Sequence, residues 1–387
     1  MDGPARARAF AVALLAGLIA LVALVAAPGV EAKPKKKKAV PVKVMTRNIF
    51  LGADLGPALD ANTFKQFTRA NGNILAEVDQ TNFPLRAQAL AAEIVDHKPD
   101  LVGLQEVAWW RTNPTPGAPA QGPDGVFTAT DTRYDFLQLL LDQVSAQGGD
   151  YTPAVVKTEF DFEAPADTDN DSNTGLEGGD IQGRLTMRDV ILVNDDSKVK
   201  AKLKNPQTGT FSSLFTPNIS GIDVPVTRGW TAGDVTVKKG KGNKKVKKTF
   251  RFVNSHFEAF DDEKQVPSIR AQQAAQLLAE PANAKKAIIL GDFNSDVPGV
   301  QPGDDQAYQT LLNGGFTERA TDERTSCCVN NLFTSPPTQF DHRVDHIMSN
   351  RPNKKVKLVS SEIVGKAMVN GLYPSDHAGV VSKLKIK

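Results

Sequence analysis

Residues 285–296 read KKAIILGDFNSD, and this stretch decides the fold. The apolar, β-branched run at 287–290 suits a strand that is buried on both faces. Gly291 ends the run because it permits backbone conformations that other residues resist. Asp292 and Asn294 lie two positions apart, so in an extended backbone their side chains leave the same face. A carboxylate and an amide at the end of a core strand suit a ligand site, although a polar turn has the same composition.

Polar side chains recur at the ends of other apolar strands, or interrupt them. Besides Asp292 and Asn294, these residues are Asn48, Glu106, His256, Asp345, Asp376 and His377. Recurrence along the whole chain indicates one shared pocket. Carboxylate and amide oxygens suit a hard cation, Mg²⁺ or Mn²⁺, better than Zn²⁺. His342 and His346 are no Zn²⁺ pair, since a strand holds residues four apart at about 13 Å.

The N-terminus has the layout of a signal peptide over residues 1–32. Arg6 and Arg8 precede an apolar run at 10–27, and small residues follow a Pro-Gly break. The sequence therefore predicts export, with a retained membrane anchor as the alternative because the run has spanning length. Residues 33–40 form a lysine-rich linker, and one α/β catalytic domain is expected over 41–387.

Composition is that of a globular protein and selects no partner by itself. Of the 387 residues 40% are hydrophobic, which suffices for a sizeable core, and the net charge is only +2. The only cysteines are Cys327 and Cys328, so a disulfide framework is excluded. A vicinal disulfide and two buried thiols both remain open. A monomer is expected.

Three segments suggest further contacts. Trp109 and Trp110, in a predicted long loop over 108–132, either grip substrate or fill the core. The acidic segment around Asp167–Asn173 alternates like a calcium loop but lacks its glycine and final glutamate, so a flexible loop competes with a Ca²⁺ site. A hairpin whose tip carries seven lysines between Lys238 and Lys248 either contacts an anionic surface or is simply solvated.

Seven motifs together resemble the endonuclease/exonuclease/phosphatase superfamily, which includes DNase I-like nucleases, inositol-phosphate phosphatases and neutral sphingomyelinases. They are TRN at 46–48, PDLVGLQEV at 99–107, RDVILV at 188–193, NSHFEAF at 254–260, ILGDFNSD at 289–296, RVDHI at 343–347 and SDH at 375–377. The resemblance implies an α/β (α+β) four-layer sandwich, in which two packed mixed β-sheets are flanked by helices on both sides.

The resemblance also implies a role for each site residue. Glu106 is the main Mg²⁺ ligand, with help from Asn48 and Asp376. Asp292 orients or deprotonates the attacking water. Asn294 and His256 hold the phosphate and the leaving oxygen. His377 contacts the phosphate and is oriented by Asp345. Arg188 adds positive charge.

The resulting hypothesis is a secreted, Mg²⁺-dependent phosphodiesterase. A nuclease or general phosphodiesterase is preferred, and a sphingomyelinase-like phospholipid diesterase or a phosphatase is the alternative. The alternative that is not an enzyme is a catalytically dead module that binds polyanions. Metal-dependent turnover separates it from the enzymes, because a dead site binds without hydrolysis.

Overall fold

The computed structural model describes residues 38–114, 126–171, 179–219, 221–242, 245–261, 265–299, 304–320, 326–329, 332–333, 340–350 and 355–387. The predicted signal peptide and most of the basic linker lie outside these ranges. Among the described helices, none is both long enough and apolar enough to cross a membrane.

Strands dominate the described chain. In chain order they are Val40–Asn48 (β1), Leu101–Gln105 (β2), Trp109–Asn113 (β3), Asp131–Asp135 (β4), Tyr151–Ala166 (β5), Ile181–Asn194 (β6), Lys202–Thr210 (β7), Asn218–Ile219 (β8), Ile222–Asp223 (β9), Gly229–Lys239 (β10), Val246–His256 (β11), Ala287–Asp292 (β12), Thr317–Glu318 (β13), Asp345–Ser349 (β14), Val356–Val364 (β15) and Gly379–Ile386 (β16). The helices are Gly56–Leu59 (α1), Phe64–Gln80 (α2), Phe83–His97 (α3), Phe136–Ala146 (α4), Ile269–Ala279 (α5) and Gln306–Asn313 (α6).

Two mixed sheets form the centre of the fold. One sheet has the spatial order β15-β16-β1-β2-β6-β3-β4, with β5 also paired to β6, and the other has the order β13-β14-β12-β11-β10-β7. Only the pairs β1–β2 and β11–β12 are parallel in these sheets, and the other pairs are antiparallel. Because parallel neighbours end at the same edge, Asn48 and Glu106 emerge side by side, as do His256 and Asp292.

The hydrophobic core is layered as the resemblance implies. Val44 of β1 and Leu290 of β12 belong to the cluster between the two sheets. The outer face of the first sheet packs on α2, α3 and α4, and that of the second packs on α5 and α6. The four-layer sandwich is therefore confirmed.

The stretch at 285–296 behaves as its sequence predicts. β12 is buried along its whole length. Gly291 has φ +152°, and a Cβ there would overlap the carbonyl oxygen of Ser255 on β11. Only glycine lets these two strands approach so closely just before Asp292.

A buried amide joins the two sheets. Asn254 of β11 donates to the carbonyl oxygens of Leu104 (3.1 Å) and Val190 (3.4 Å) in the other sheet, and it accepts a hydrogen bond from Gln105. Because these polar groups are buried and need each other, they fix the two sheets at one relative position. That position brings Glu106, the residue after Gln105, opposite the end of β12.

Several predictions of local structure are wrong. The polar, glycine-containing composition of residues 50–83 predicts helical patches at best. The region instead contains α2, whose capping box pairs Thr63 with Gln66 and whose apolar stripe is buried. The predicted loop at 108–132 begins with β3 and ends in β4, since pairing with β6 overrides its turn-rich composition. The Asp-, Asn- and Gly-rich composition of residues 161–180 predicts a loop from residue 161, but β5 extends to Ala166.

Candidate active site

The predicted residues meet at one end of the sandwich, around a cleft of about 960 Å³. The members that line it directly are Glu106, Asp292, Asn294, Asp376 and His377. Asn48, His256 and Asp345 are buried behind them, and each makes a polar contact with a residue that faces the cleft. All eight predicted residues therefore lie in one constellation.

Asn48 connects the two carboxylates that the two sheets contribute. Its Nδ2 donates to Glu106 Oε1 at 3.1 Å and to Asp292 Oδ2 at 3.0 Å, and its Oδ1 accepts from the Phe50 amide. Glu106 also accepts from the Leu51 amide at 2.8 Å and has a left-handed backbone with φ +57°. Such strain in a residue other than glycine is typical of functional sites.

His377 is held by a carboxylate on each side. Its Nδ1 lies 3.0 Å from Asp345 Oδ2, and its Nε2 lies 3.5 Å from Asp292 Oδ2. Burial acts to lower the pKa of His377, but Asp345, Asp292 and Asp376 outweigh it and raise that pKa well above its ordinary value. His377 is therefore an imidazolium at neutral pH, with its charge beside the cleft.

The two neighbouring acids hold their protons more tightly than exposed ones. Burial raises the pKa of Asp292 to about 6, with a further rise from Asp345 that His377 opposes. Burial likewise raises the pKa of Asp376 to about 6, and the nearby Glu106 carboxylate adds to this rise. An acid with this pKa can act as a general base near neutral pH.

His256 differs from His377 because an arginine, rather than a carboxylate, lies against its Nδ1. Arg228 Nη1 lies 3.1 Å from its Nδ1, and Asn294 Nδ2 lies 3.0 Å from its Nε2. Burial, followed by Arg228 and His377, lowers the pKa of His256 well below its ordinary value. The ring is consequently neutral and positions Asn294, the residue that reaches the cleft.

Arg228 is the site residue that sequence reasoning missed. It is buried, lines the cleft, and pairs with Glu258 at 3.6 Å as well as with His256. It stands just before β10 in VTRGW, without the strand-end pattern that marked the other residues. A charged residue that is buried only by tertiary packing has no local signature.

Arg188 is placed elsewhere. It donates to the carbonyl oxygens of Val107 and Ala108 and binds Asp135 at 2.6 Å, and it does not line the cleft. The expectation that it adds charge at the site is therefore wrong, because the N–H groups of its guanidinium are bonded to the loop after β2.

Neither tryptophan lines the cleft. Trp110 is buried and donates to the Leu51 carbonyl oxygen, whereas Trp109 is half-buried and donates to Thr132. The structural reading is thus the right one for Trp110. Trp109 instead lies against the guanidinium of Arg111, 4.1 Å from its ring centroid.

The lysine-rich hairpin points away from the site. Gly229, at the start of β10, pairs with His256, whereas Lys239, at its end, pairs with Val246. At about 3.3 Å per residue, the tip lies roughly 33 Å along the strand from the site. Of its lysines, Lys244 lies outside the described residues.

The acidic segment and the cysteine pair also make contacts with polar groups. Asp167 and Asp180 accept hydrogen bonds from backbone amides, and the far part of the acidic segment, including Asn173, lies outside the described residues. Cys327 and Cys328 are joined in a vicinal disulfide whose sulfur atoms lie 3.7 and 3.9 Å from His377 Nε2.

The donor set fits a hard divalent cation. Glu106 and Asp376 both face the cleft and are close enough for one carboxylate to raise the pKa of the other. Two carboxylates that repel each other in a buried setting are relieved by a cation between them. Buried Asp345 Oδ1 also has no hydrogen-bond partner among the described residues.

Comparison with known proteins identifies the family. The endonuclease/exonuclease/phosphatase family model matches residues 70–377. No curated protein gives a significant match. A family protein of Bacteroides thetaiotaomicron has a TM-score of 0.50 and 18% identity over 90% of this chain and 99% of its own. A functionally unknown protein of Enterococcus faecalis V583 has a TM-score of 0.50 and 15% identity over 89% of this chain and 100% of its own.

A mannosyl-6-phosphatase of Bacteroides thetaiotaomicron is more distant, with a TM-score of 0.47 and 19% identity over 89% of this chain and 99% of its own. At these identities the solved structures show the fold alone. The family model, which spans most of the chain and every residue of the constellation except Asn48, carries the assignment. The chain belongs to the endonuclease/exonuclease/phosphatase family, whose members hydrolyse phosphoesters.

Proposed function

We propose that the protein is a phosphodiesterase that depends on Mg²⁺ or Mn²⁺. The observation that supports this most is the single cleft in which Glu106, Asp292, Asp376 and the Asp345–His377 pair converge. The cleft offers oxygen ligands for the metal, a carboxylate whose pKa suits a general base, and the positive charge of the His377 imidazolium, all within one small volume. Phosphate ester cleavage needs these three, because negative charge spreads over the phosphoryl oxygens in the transition state.

Glu106 and Asp376 would hold the cation, with Asn48 orienting Glu106 through its amide. When bound, the cation supplies charge neutralisation at the phosphoryl oxygens. The residue roles around it follow from the contacts. Asn294 lines the cleft beside the substrate, and the His377 imidazolium donates from Nε2 to a phosphoryl oxygen while Asp345 fixes the ring.

Asp292 is the general base of this proposal. It takes a proton from the attacking water as the water oxygen bonds to phosphorus and the bond to the leaving oxygen breaks. The leaving oxygen takes a proton from solvent, and Asp292 then releases its own. The Asn48 side chain and the backbone amide of Asn294 both donate hydrogen bonds to Asp292, and they orient its carboxylate.

The test is hydrolysis of bis(p-nitrophenyl) phosphate by the full chain, with Mg²⁺, with Mn²⁺ and with a chelator. We expect turnover with the metals, loss with the chelator, and a fall of at least about 10²-fold for Glu106→Gln and His377→Gln. Asp234→Asn is the matched control, since Asp234 is half-exposed on β10 outside the constellation. Equal rates with metal and chelator would refute the metal requirement.

Export of the protein is part of the proposal. It rests on the charged, apolar and small-residue pattern of residues 1–32, which lie outside the described residues. Mass spectrometry of protein from the culture medium should give a mature N-terminus near residue 33. An intact N-terminus on membrane-bound protein would favour the anchor instead.

A further inference from the structure

A narrow apolar groove of about 90 Å³ opens from the side of the catalytic cleft. The cleft and the groove share one set of apolar lining residues. These are Leu55, Leu59, Phe160, Leu185 and Val226. The cleft and the groove therefore adjoin, and the lining that they share is apolar.

Three parts of the fold build the groove. Its lining includes Ala58 of α1 and Phe67 of α2, and also Phe162 of β5. Ile219 of β8 and Val224 line it as well. Asn71 is its polar lining residue, and its Nδ2 already donates to the Pro165 carbonyl oxygen at 3.0 Å.

The groove therefore offers mainly apolar contact, and one N–H of Asn71 is already bonded. Phe160 and Phe162 are only partly buried although they pack against the core, so each leaves ring surface open. An aliphatic group placed there is removed from water, and this is favourable in proportion to the area buried.

The charges of the cleft do not suit a polyanion. Among the described lining residues Arg228 is the only lysine or arginine, and its guanidinium is already paired with Glu258. Asp54 and Glu77 add negative charge to the wall near α1 and α2. Nucleic-acid binding relies on several lysines or arginines at successive phosphates, whereas the basic hairpin tip lies roughly 33 Å away.

We propose that the groove binds an aliphatic chain esterified to the scissile phosphate, so that the substrate is a lipid-like phosphodiester with one chain. This inference rests on the proposed phosphodiesterase function and names its substrate class. The chain occupies the groove while the phosphate stays between His377 and the carboxylates. The small volume of the groove excludes a second chain beside the first.

A series of p-nitrophenyl alkyl phosphates with methyl, butyl and octyl groups tests the proposal, because every ester releases the same chromophore. At about 30 Å³ for a water-sized group, the groove takes about three methylenes. Each buried methylene raises kcat/KM about fourfold, so butyl should exceed methyl by roughly 60-fold and octyl should add less. A flat series would overturn the proposal.

Two groove variants locate the effect. Phe162→Asp places a negative charge in the lining of the groove, and Ala58→Leu narrows the groove without adding a charge. Both should reduce the octyl-to-methyl ratio of kcat/KM by at least about tenfold. Val359→Asp makes a similar apolar-to-acid change at an exposed position of β15 and should leave the ratio unchanged. If Phe162→Asp does not fold, Ala58→Leu decides.

The outcomes separate the two proposals. If the methyl ester is hydrolysed but chain length has no effect, or the groove variants keep the wild-type ratio, only the lipid-like substrate is overturned. If a DNA oligonucleotide is cleaved with higher kcat/KM than the octyl ester, the nuclease reading replaces it. If no ester is hydrolysed with either metal, the phosphodiesterase function fails and this inference fails with it.

Discussion

Replacement of Asp345 by Asn tests the electrostatic core of the proposed mechanism. Asp345 is fully buried, and its Oδ2 lies 3.0 Å from His377 Nδ1. The substitution keeps the shape of the side chain and an acceptor oxygen but removes the charge. It therefore changes the stabilisation of the imidazolium more than the position of the ring.

The expected size follows from Coulomb's law. Two unit charges about 4 Å apart interact by about 4 kcal/mol at an effective dielectric constant of 20. At 1.36 kcal/mol per tenfold change in rate, this sets an upper bound of about 10³-fold on the loss of rate. Asp292 and Asp376 still raise the pKa of His377, so we expect a kcat lower by about 10²- to 10³-fold with little change in KM.

The pH profile is the specific measurement. The pKa of His377 is raised in the folded protein, so the protonated ring persists as pH rises and is lost only through that raised pKa. Asp345→Asn should move the alkaline limb of kcat toward lower pH, whereas Asp234→Asn should leave it in place. A kcat for Asp345→Asn within threefold of wild type, with an unmoved limb, would refute the reasoning.

Three further predictions follow from the fold. Burial, then Glu159, raises the pKa of Asp189 well above normal, and its oxygens lack hydrogen-bond partners among the described residues. Ionisation of the buried Asp189 carboxylate therefore lowers the stability of the protein as pH rises above about 4. Asp189→Asn should raise the free energy of unfolding, measured by urea titration, by roughly 1–3 kcal/mol at pH 8 but not at pH 4. Asn254→Ala should lower that free energy by about 2–4 kcal/mol in the same titrations, because it leaves buried groups between the sheets unsatisfied. Lys239→Gln with Lys247→Gln should change hydrolysis of bis(p-nitrophenyl) phosphate less than twofold, since the tip lies roughly 33 Å from the site; a larger loss would place substrate on the hairpin.

Much of the constellation was predictable because it depends on short-range pattern. Glu106 and Asp292 each end an apolar strand, and such ends meet at one sheet edge whatever the loops between them do. Helix α2 was also open to prediction, since the capping box from Thr63 to Gln66 precedes its apolar stripe. It was missed because its polar residues and glycine masked that stripe.

The sequence by itself determined the strand-end residues from Asn48 to His377, because strand period is a local property of the chain. Its motifs, through their resemblance to the family, also implied the four-layer fold. Only the tertiary structure decided that burial and Arg228 together hold His256 neutral, that the lysine-rich tip faces away from the site, and that an apolar groove opens beside the cleft. These three features depend on which elements pack together and in which direction each strand runs, and neither is written in any single segment.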